Sequence, residues 1–181
     1  MRALVTGGSG FVGRHLVRAL AARGDEVRSL DLGPSLDEGP RVSSVRADLR
    51  DREAMGRATE GIDVVFHAAS RVQTRRTGAD EVRAVNVGGT ENLLSSCRAS
   101  GVDRLVYVSS ASVVYGGADI ERGEESLPYP ATFHAPYAAT KAVAERTVLQ
   151  ASDATLRTCS IRPHIIFGPG DQRFLPAVLS R

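Results

Sequence analysis

The sequence predicts an α/β fold built on a doubly wound parallel β-sheet. Short runs rich in Val, Leu and Ile alternate along the chain with longer stretches of helical periodicity. The short runs are continuously apolar, which is typical of strands that are covered by helices on both faces. With 181 residues, the chain is long enough for one domain with a substantial core.

Strands are predicted at the short apolar runs, and helices where the periodicity lengthens. The predicted strands are residues 3–6, 26–31, 42–46, 63–67, 104–109 and 156–162. The predicted helices are residues 11–23, 52–58, 79–100 and 136–151. The Gly- and Pro-rich segment 116–136 is predicted to be a loop, and its length suggests a function beyond connection. Arg75 and Arg76 are predicted to lie in a solvated loop rather than to anchor a substrate.

The composition excludes several classes of protein. Lys and Arg number 23 against 21 Asp and Glu, and the arginines are interleaved with acids rather than clustered. This balance argues against a nucleic-acid partner. No apolar run reaches the ~18 residues of a membrane span, and residues 1–6 lead into a glycine cluster instead of the apolar core of a signal peptide. We therefore expect a cytoplasmic protein with no membrane segment in this chain.

The cysteines and histidines give no sign of a disulfide or a metal site. Cys97 and Cys159 are far apart in apolar-periodic segments, so both are predicted to be reduced thiols in a cytosolic core. The histidines are His15, His67, His134 and His164. Their spacing is not that of metal ligands, and we expect no metal.

A glycine cluster lies between the first predicted strand and the first predicted helix. Gly7, Gly10 and Gly13 are spaced three residues apart. In such a loop the first glycine permits a tight turn, the second lets the backbone approach a pyrophosphate, and the third lets helix and strand pack closely. The N–H groups at the helix start, where Phe11 and Val12 lie, then face the phosphates. This context predicts a dinucleotide-binding (Rossmann) domain, against the alternative of a plain tight turn.

Asp31 ends the second predicted strand, as a ribose-binding acid would. A carboxylate at this position accepts hydrogen bonds from the adenosine ribose hydroxyls and repels a 2′-phosphate. No arginine follows it directly, and Arg28 lies inside the strand. NAD is therefore favoured over NADP as the cofactor. The alternative is a solvated acid at a strand end.

Tyr137 and Lys141 lie one helical turn apart in a predicted helix that begins at Pro136. An ammonium at that spacing can stabilise a tyrosinate and lower the pKa of the phenol toward neutrality, as proton transfer requires. Lys141 is the only lysine among 23 Lys and Arg residues, so ordinary surface charge in this chain is carried by arginine. The pair is predicted to be catalytic, and the alternative is a surface pair.

Three serines cluster at the end of the fifth predicted strand. Ser109, Ser110 and Ser112 follow Val108. Because ligands of open α/β sheets bind beyond the carboxyl ends of the strands, a hydroxyl here can reach a reacting oxygen. Chemistry alone does not distinguish the three.

Further segments complete a known pattern. They are Asp48-Leu49, His67-Ala68-Ala69, Asn86-Val87-x-Gly89-Thr90 and Arg162-Pro163-x-x-x-Phe167-Gly168-Pro169-Gly170-Asp171. With the glycine loop and the Tyr/Lys pair, they resemble the extended short-chain dehydrogenase/reductases of the NAD-dependent epimerase/dehydratase superfamily. The resemblance covers essentially the whole chain. It implies additional cofactor contacts through Asp48, Leu49, His67, Ala68, Ala69, Asn86, Ser109 and Pro163, and contacts through Tyr137 and Lys141 themselves.

For Asn86, packing between helices is an equal alternative, and Pro163 is equally compatible with a plain strand end. The segments 109–114, 119–129 and 140–145 narrow the resemblance to the 3β-hydroxysteroid dehydrogenase branch, which includes sterol-4α-carboxylate 3-dehydrogenases and 2-alkyl-3-oxoalkanoate reductases. That resemblance implies that Ser110 is the catalytic serine, with Ser112 as the alternative.

The branch implies an NAD-dependent dehydrogenase that interconverts a secondary alcohol and a ketone. The substrate would be bulky and hydrophobic, either a steroid or sterol or a β-hydroxy or β-keto acid. Two alternatives stay open. One is a nucleotide-sugar 4-epimerase, and the other is a non-catalytic dinucleotide-binding domain.

Chain length departs from the family pattern. Members of the family continue well beyond the segment that matches residues 168–171, and the continuation forms most of the substrate-binding lobe. We therefore expect residues 1–181 to be a dinucleotide-binding domain in which the C-terminal substrate lobe is missing. Related enzymes pair through helices equivalent to residues 79–100, whose apolar face could support a homodimer.

Overall fold

A six-stranded parallel sheet forms the centre of the protein. The strands are β1 (Arg2–Thr6), β2 (Glu26–Asp31), β3 (Val42–Arg46), β4 (Val64–His67), β5 (Arg104–Val108) and β6 (Arg157–Ile161). Their order across the sheet is β3-β2-β1-β4-β5-β6, and each pair of neighbours is parallel. The computed structural model describes residues 1–34, 39–72, 78–172 and 174–180. The predicted doubly wound parallel sheet is confirmed.

Helices connect the strands at nearly the predicted positions. They are α1 (Phe11–Ala22), α2 (Arg52–Thr59), α3 (Ala79–Arg83), α4 (Gly89–Ala99), α5 (Pro136–Gln150) and α6 (Phe174–Leu179). A π-helical turn, Ala84–Gly88, joins α3 to α4, and a 3-10 turn, Ala111–Val113, follows β5. Proline occupies the first turn of α5, where its fixed φ suits a helix start.

The alternation of side chains along β1 explains why the sheet is covered on both faces. Ala3 and Val5 pack with Val17 of α1 in one hydrophobic cluster. Leu4, which points to the opposite face, packs with Leu93 of α4 in the other cluster. All five side chains are fully buried. A strand buried on both faces must be continuously apolar, as the sequence of β1 is.

The single helix that the sequence predicts over residues 79–100 is interrupted. α3 ends at Arg83, and the wider π turn accommodates one extra residue before α4 begins at Gly89. Asn86 lies in this turn and is 2% exposed. The turn therefore changes which side chains the following helix presents to the sheet.

The prediction that both cysteines lie in the core is wrong for Cys159. Cys97 is fully buried on α4, and burial raises the pKa of its thiol to about 12. Cys159 is exposed because β6 is an edge strand. Both thiols are free.

The apolar face of the α3–α4 segment is used inside the chain. Leu93, Leu94 and Cys97 belong to the core, so Glu91 and Arg98 are on the exposed face of α4. This leaves no apolar stripe on α4 for a second copy, and a homodimer stays a prediction.

Residues 114–135 form the long loop that the sequence predicts, with no helix or strand of their own. Within the described ranges, no helix is both long and apolar enough to cross a bilayer. In the same ranges, no three His, Cys, Asp or Glu side chains come together as metal ligands. Arg75 and Arg76 lie outside the described residues.

Candidate active site

The glycine loop is packed so closely that side chains are excluded from it. Gly7 has a φ of +72° and donates its N–H to the Leu30 carbonyl at 2.8 Å. A Cβ at Gly7 would lie 2.7 Å from the backbone of Ala69, and a Cβ at Gly13 would overlap the Gly7 carbonyl oxygen. The Gly10 N–H closes the turn by donating to the same Gly7 oxygen at 2.9 Å. Contacts within the protein therefore require glycine at positions 7 and 13, whereas a Cβ at Gly10 would meet only the Gly7 oxygen, at 3.1 Å.

A cleft of about 560 Å³ opens beyond this loop, at the carboxyl ends of β1 to β4. The predicted cofactor residues that line it are Gly7, Gly10, Asp31, Asp48, Leu49, Ala68 and Ala69. α1 begins beside the cleft, and no side chain of the described residues caps its N-terminus. The N–H groups of Phe11, Val12 and Gly13 precede the first intrahelical bonds, so they suit a pyrophosphate.

Asp31 lies at the edge of this cleft, where the sequence places it. One carboxylate oxygen accepts the Ser9 N–H at 3.0 Å and the other accepts the Gly33 N–H at 3.2 Å. A carboxylate has about four acceptor sites, so two remain for a ligand. Arg46 pairs in register with Asp31 on β3 and donates to the Leu32 carbonyl at 2.9 Å. Sequence analysis missed this arginine because only the strand pairing brings it near Asp31.

Asp48 and Leu49, which follow β3, also line this cleft. Asp48 accepts hydrogen bonds from the Arg50 guanidinium, the shortest at 2.6 Å, and these bonds hold the pKa of the Asp48 carboxyl below its ordinary value. Leu49 packs closely on α4, because a Cβ at Gly89 would lie 2.6 Å from that of Leu49. The pair thus fixes the spacing between the cleft and α4.

His67 is the centre of a buried polar chain. Its Nδ1 lies 2.7 Å from the Thr6 hydroxyl and its Nε2 lies 2.9 Å from the Thr90 hydroxyl. The Thr90 hydroxyl donates its proton to the Asn86 carbonyl at 2.6 Å. Nε2 must therefore carry the imidazole proton, and Nδ1 accepts from Thr6.

Burial, and then the charge of Lys141, lower the pKa of His67 to about 3, so the ring is neutral at physiological pH. The ring is 1% exposed and both nitrogens are bonded within the protein. Ala68 and Ala69, which follow it, are the residues of this motif that reach the cleft. A direct cofactor contact through the His67 ring stays a prediction.

Asn86 connects the cleft edge to the helix that carries Tyr137. Its side-chain oxygen accepts the Arg71 N–H at 2.7 Å, and its amide donates to the Arg71 carbonyl at 3.1 Å and to the Thr140 hydroxyl at 3.0 Å. The Thr140 hydroxyl in turn donates to the Tyr137 carbonyl at 2.9 Å. Asn86 thus joins the cleft edge to α5, and its contact with the cofactor stays a prediction.

Lys141 is 1% exposed, which the sequence did not predict. Its Nζ donates to the Val108 carbonyl at 2.6 Å and lies 4.0 Å from the centre of the Tyr107 ring. Burial lowers the pKa of Lys141 to about 7, and the negative charge of Glu145 opposes this shift. Tyr137, one turn earlier on α5, is half-buried. A buried lysine whose pKa is lowered to about 7 therefore lies one helical turn from the predicted proton-transfer residue.

The three serines have different surroundings. Ser109 is 3% exposed, and its hydroxyl lies near the Glu145 carboxylate but makes no hydrogen bond of ordinary geometry within the described residues. Ser110 is half-buried, and its oxygen accepts both the Ser112 hydroxyl at 2.9 Å and the Ser112 N–H at 3.2 Å. Because Ser110 accepts twice, its own proton remains available for a ligand. This arrangement favours Ser110 over Ser112 as the donor.

A larger cleft of about 910 Å³ is lined by Ser110. Three segments form its lining. They are residues 110–115 after β5, residues 162–165 after β6, and residues 119–127 of the long loop. We call residues 119–127 the cleft wall. Pro163, a predicted cofactor contact, lies in this cleft and accepts the Ala111 N–H at 3.0 Å.

Sequence analysis gave no role to Glu145, which is fully buried. It follows Lys141 by four residues, as Lys141 follows Tyr137, so helical spacing could have placed it on the same face. Its partner Arg162 is distant in sequence and bonds it at 2.7 Å.

Residues 4–180 match the 3-beta hydroxysteroid dehydrogenase/isomerase family. The chain is 47% identical over 179 residues to the 3 beta-hydroxysteroid dehydrogenase/Delta 5-->4-isomerase of Mycobacterium tuberculosis, covering 94% of this chain and 48% of that protein. It is 42% identical over 185 residues to the 2-alkyl-3-oxoalkanoate reductase of Stenotrophomonas maltophilia, covering 100% of this chain and 56% of that protein.

Among solved structures, MoeE5 in complex with UDP-glucuronic acid and NAD superimposes with a TM-score of 0.87 and 36% identity, over 99% of this chain and 60% of that one. The chain spans about half the length of the curated relatives it matches. The match over nearly the whole chain and the identity to curated relatives place this protein in the 3-beta hydroxysteroid dehydrogenase/isomerase family.

Proposed function

We propose that this chain forms the cofactor-binding and catalytic part of an NAD-dependent oxidoreductase that interconverts a secondary alcohol and a ketone. The observation that carries the proposal is the burial of Lys141 one helical turn from Tyr137. Burial lowers the pKa of Lys141 to about 7. Burying a charge costs free energy, so such a lysine suits chemistry better than stability. The dehydrogenase and reductase names of the relatives support the same reaction class.

NAD is the cofactor that fits the smaller cleft. The N–H groups at the start of α1 would hold its pyrophosphate, and the two remaining acceptor sites of Asp31 would take the ribose hydroxyls. When bound, NAD supplies or accepts the hydride. Asp31 disfavours the 2′-phosphate of NADP, but Arg46 lies nearby and partly offsets that repulsion. We therefore expect NADPH to bind, and to bind more weakly. The NAD in the MoeE5 structure supports this choice.

Tyr137 would exchange the proton of the substrate hydroxyl, which typically contributes ~10²–10⁴ in rate. Lys141 would stabilise the tyrosinate by its charge, since the ammonium is buried where water screens little. Ser110 would donate to the substrate oxygen, because both Ser112 donors already occupy its lone pairs and leave its proton free. The protein would thus position the Tyr137, Lys141 and Ser110 side chains around the reacting oxygen.

A bulky hydrophobic substrate fits the larger cleft. Its lining includes the apolar side chains Val114, Ile120, Leu127 and Ile165. The relatives are named for steroids and for alkyl-oxoalkanoates, and we propose a substrate of one of these two kinds. Two free thiols fit a reducing cytoplasm.

A nucleotide-sugar 4-epimerase is the second candidate. It is favoured by the solved structure that aligns with 99% of this chain, which contains UDP-glucuronic acid. Incubation with NAD and UDP-glucose, followed by separation of the sugar products, tests it directly. Formation of UDP-galactose would replace the first proposal.

The proposal is tested in two steps on this chain. The chain is titrated with NADH and separately with NADPH, and nicotinamide fluorescence reports binding. NADH is expected to bind at least about tenfold more tightly than NADPH. Reduction of a ketosteroid and of a 3-oxo fatty acid is then followed at the nicotinamide absorbance band. Tyr137→Phe is expected to lower the rate by ~10²–10⁴ and leave NADH affinity within about twofold. Parent-rate turnover by this variant would exclude Tyr137 as the acid or base. NADH binding without turnover of any substrate, by this chain and by a version extended to the length of its relatives, would instead identify a non-catalytic domain.

A further inference from the structure

The Glu145 carboxylate lies at the centre of a buried polar cluster that the proposed chemistry does not use. One of its oxygens accepts the Tyr129 hydroxyl at 2.7 Å and two nitrogens of Arg162, Nε at 2.9 Å and Nη2 at 2.7 Å. Its other oxygen accepts the Ser160 hydroxyl at 3.0 Å. Burial alone would raise the pKa of Glu145, but Arg162 and then the hydroxyls of Ser109, Tyr129 and Ser160 outweigh it and hold the pKa below its ordinary value.

This cluster joins three segments that are far apart in sequence. Glu145 lies on α5 with the predicted catalytic pair, and Arg162 follows β6. Tyr129 lies in the long loop, two residues after the cleft wall. The Arg162 guanidinium also donates to the Glu125 carbonyl at 3.1 Å and lies 5.5 Å from the centre of the Tyr129 ring. Arg146 lies over the same ring at 4.9 Å.

Two of these contacts attach the cleft wall to the rest of the protein. Among the described residues, hydrogen bonds from residues 119–130 to the sheet and its helices run through the Glu125 carbonyl and the Tyr129 hydroxyl. The wall has no helix or strand of its own. Its position over the larger cleft therefore depends on side chains held by one buried carboxylate.

We infer that Tyr129, Glu145 and Arg162 form a clamp that fixes the cleft wall, and that they act as positioning residues for the substrate. Hydrogen bonds to an ionised, buried carboxylate are stronger than those between neutral groups, so each contact contributes strongly to the order of the loop. The inference rests on the proposed function for its substrate, a bulky ketone or alcohol. It assigns the clamp to substrate affinity, and leaves cofactor affinity and the chemical step to other residues.

Tyr129→Phe is the sharpest test, because it keeps the ring between the two arginines and removes only the hydroxyl. Cleavage by trypsin after Arg122, within the cleft wall, is expected to become about tenfold faster, while cleavage after Arg28 of β2 is unchanged. Tyr115→Phe is the matched control for cleavage only, since Tyr115 lines the larger cleft but is not bonded to Glu145. Equal cleavage rates after Arg122 in the two variants and the parent chain would overturn the clamp.

Steady-state kinetics separates positioning from chemistry. With a ketosteroid as probe, Tyr129→Phe is expected to raise KM for the ketone several-fold and to leave kcat and the NADH KM within about twofold. A lower kcat at unchanged KM would place Tyr129 in the chemical step and contradict the inference. If the parent chain reduces no ketone, the proposed function fails, and the cleavage experiment still decides whether the clamp exists. Glu145→Gln, which weakens all four hydrogen bonds, is expected to accelerate cleavage after Arg122 further.

Discussion

We call the part of the molecule around the smaller cleft the cofactor side, and the part around the larger cleft the substrate side, after the functions proposed for them. The two sides are held together by different means. On the cofactor side, Leu4 and Val5 of β1 are fully buried, and the glycine loop beside them leaves no room for a methyl group at Gly13. On the substrate side, β6 is an edge strand on which Ile161 is 50% exposed. The cleft wall there is attached through the contacts of Glu145 and Arg162.

This difference teaches where the chain can change. Backbone packing tolerates little alteration at Gly7 and Gly13, because an added Cβ there would lie within 2.7 Å of backbone atoms. Side-chain bonds to a loop can be kept while the residues between them vary. The same cofactor domain can therefore carry different substrate walls, which agrees with a family whose members are named for steroids and for oxoalkanoates.

Gly13→Ala is expected to have the largest effect and to break the cofactor side. Its Cβ would overlap the Gly7 carbonyl oxygen, and backbone cannot move aside as a flexible side chain can. We expect at least about a hundredfold loss of NADH affinity and a free energy of unfolding lower by more than ~3 kcal/mol. Fluorescence titration and urea unfolding measure the two. Parent-like values would mean that the turn is far less rigid than its contacts indicate.

The cofactor side is also the side that could be predicted from sequence. The strands and the glycine loop follow from local signals, namely continuous apolar runs and a fixed spacing of glycines. The shared face of Tyr137 and Lys141 follows from helical spacing in the same way. These features need no knowledge of the three-dimensional contacts.

What could not be predicted depends on contacts between distant segments. The burial of Lys141 requires Tyr107 of β5 beneath it, and the exposure of Cys159 requires that β6 be an edge. The π turn at Asn86 is stabilised by bonds to residues 15 and 54 positions away. Periodicity within one segment contains no information about such partners.

Two truncations to alanine, one on a central strand and one on an edge strand, test whether the two sides differ in packing. Leu4→Ala removes a fully buried side chain from β1 and is expected to lower the free energy of unfolding by about 2–5 kcal/mol. Ile161→Ala removes a half-exposed side chain from β6 and is expected to cost less than ~1 kcal/mol. Urea unfolding of both variants measures the difference. Equal losses would show that β6 is as well packed as the centre of the sheet.

Lys141→Met is expected to stabilise the fold while it abolishes turnover. Burial lowers the pKa of Lys141 in the folded chain to about 7, well below its ordinary value of 10.5, so the unfolded chain binds more protons between these values. Stability must therefore rise with pH in that range, and at pH 7 the buried ammonium destabilises the fold. Removing it is expected to raise the free energy of unfolding at pH 7 by about 1–3 kcal/mol.

The pH dependence provides the control for this variant. The advantage of Lys141→Met over the parent chain is expected to shrink from pH 7 to about 8.5, by at most ~1.4 kcal/mol per pH unit. That range ends below the ordinary pKa of 9.0 for Cys97, whose raised pKa would lower stability at higher pH. A Met variant that is less stable than the parent at pH 7 would mean that the Val108 and Tyr107 contacts outweigh the cost of burial.

Gly56→Ala is expected to have the smallest effect. It tests whether the cofactor side rejects an added methyl group in general or only within the glycine loop. Gly56 lies in the middle of α2, and a Cβ there meets nothing within 4 Å. Glycine inside a helix is ~1 kcal/mol less favourable than alanine, so the variant is expected to be more stable by about 0.5–1 kcal/mol, with unchanged NADH affinity. Since Gly13→Ala makes the same chemical change in α1, which packs on the other face of the sheet, opposite signs would assign the rigidity to the glycine loop. A destabilised Gly56→Ala would instead show that close packing extends to α2.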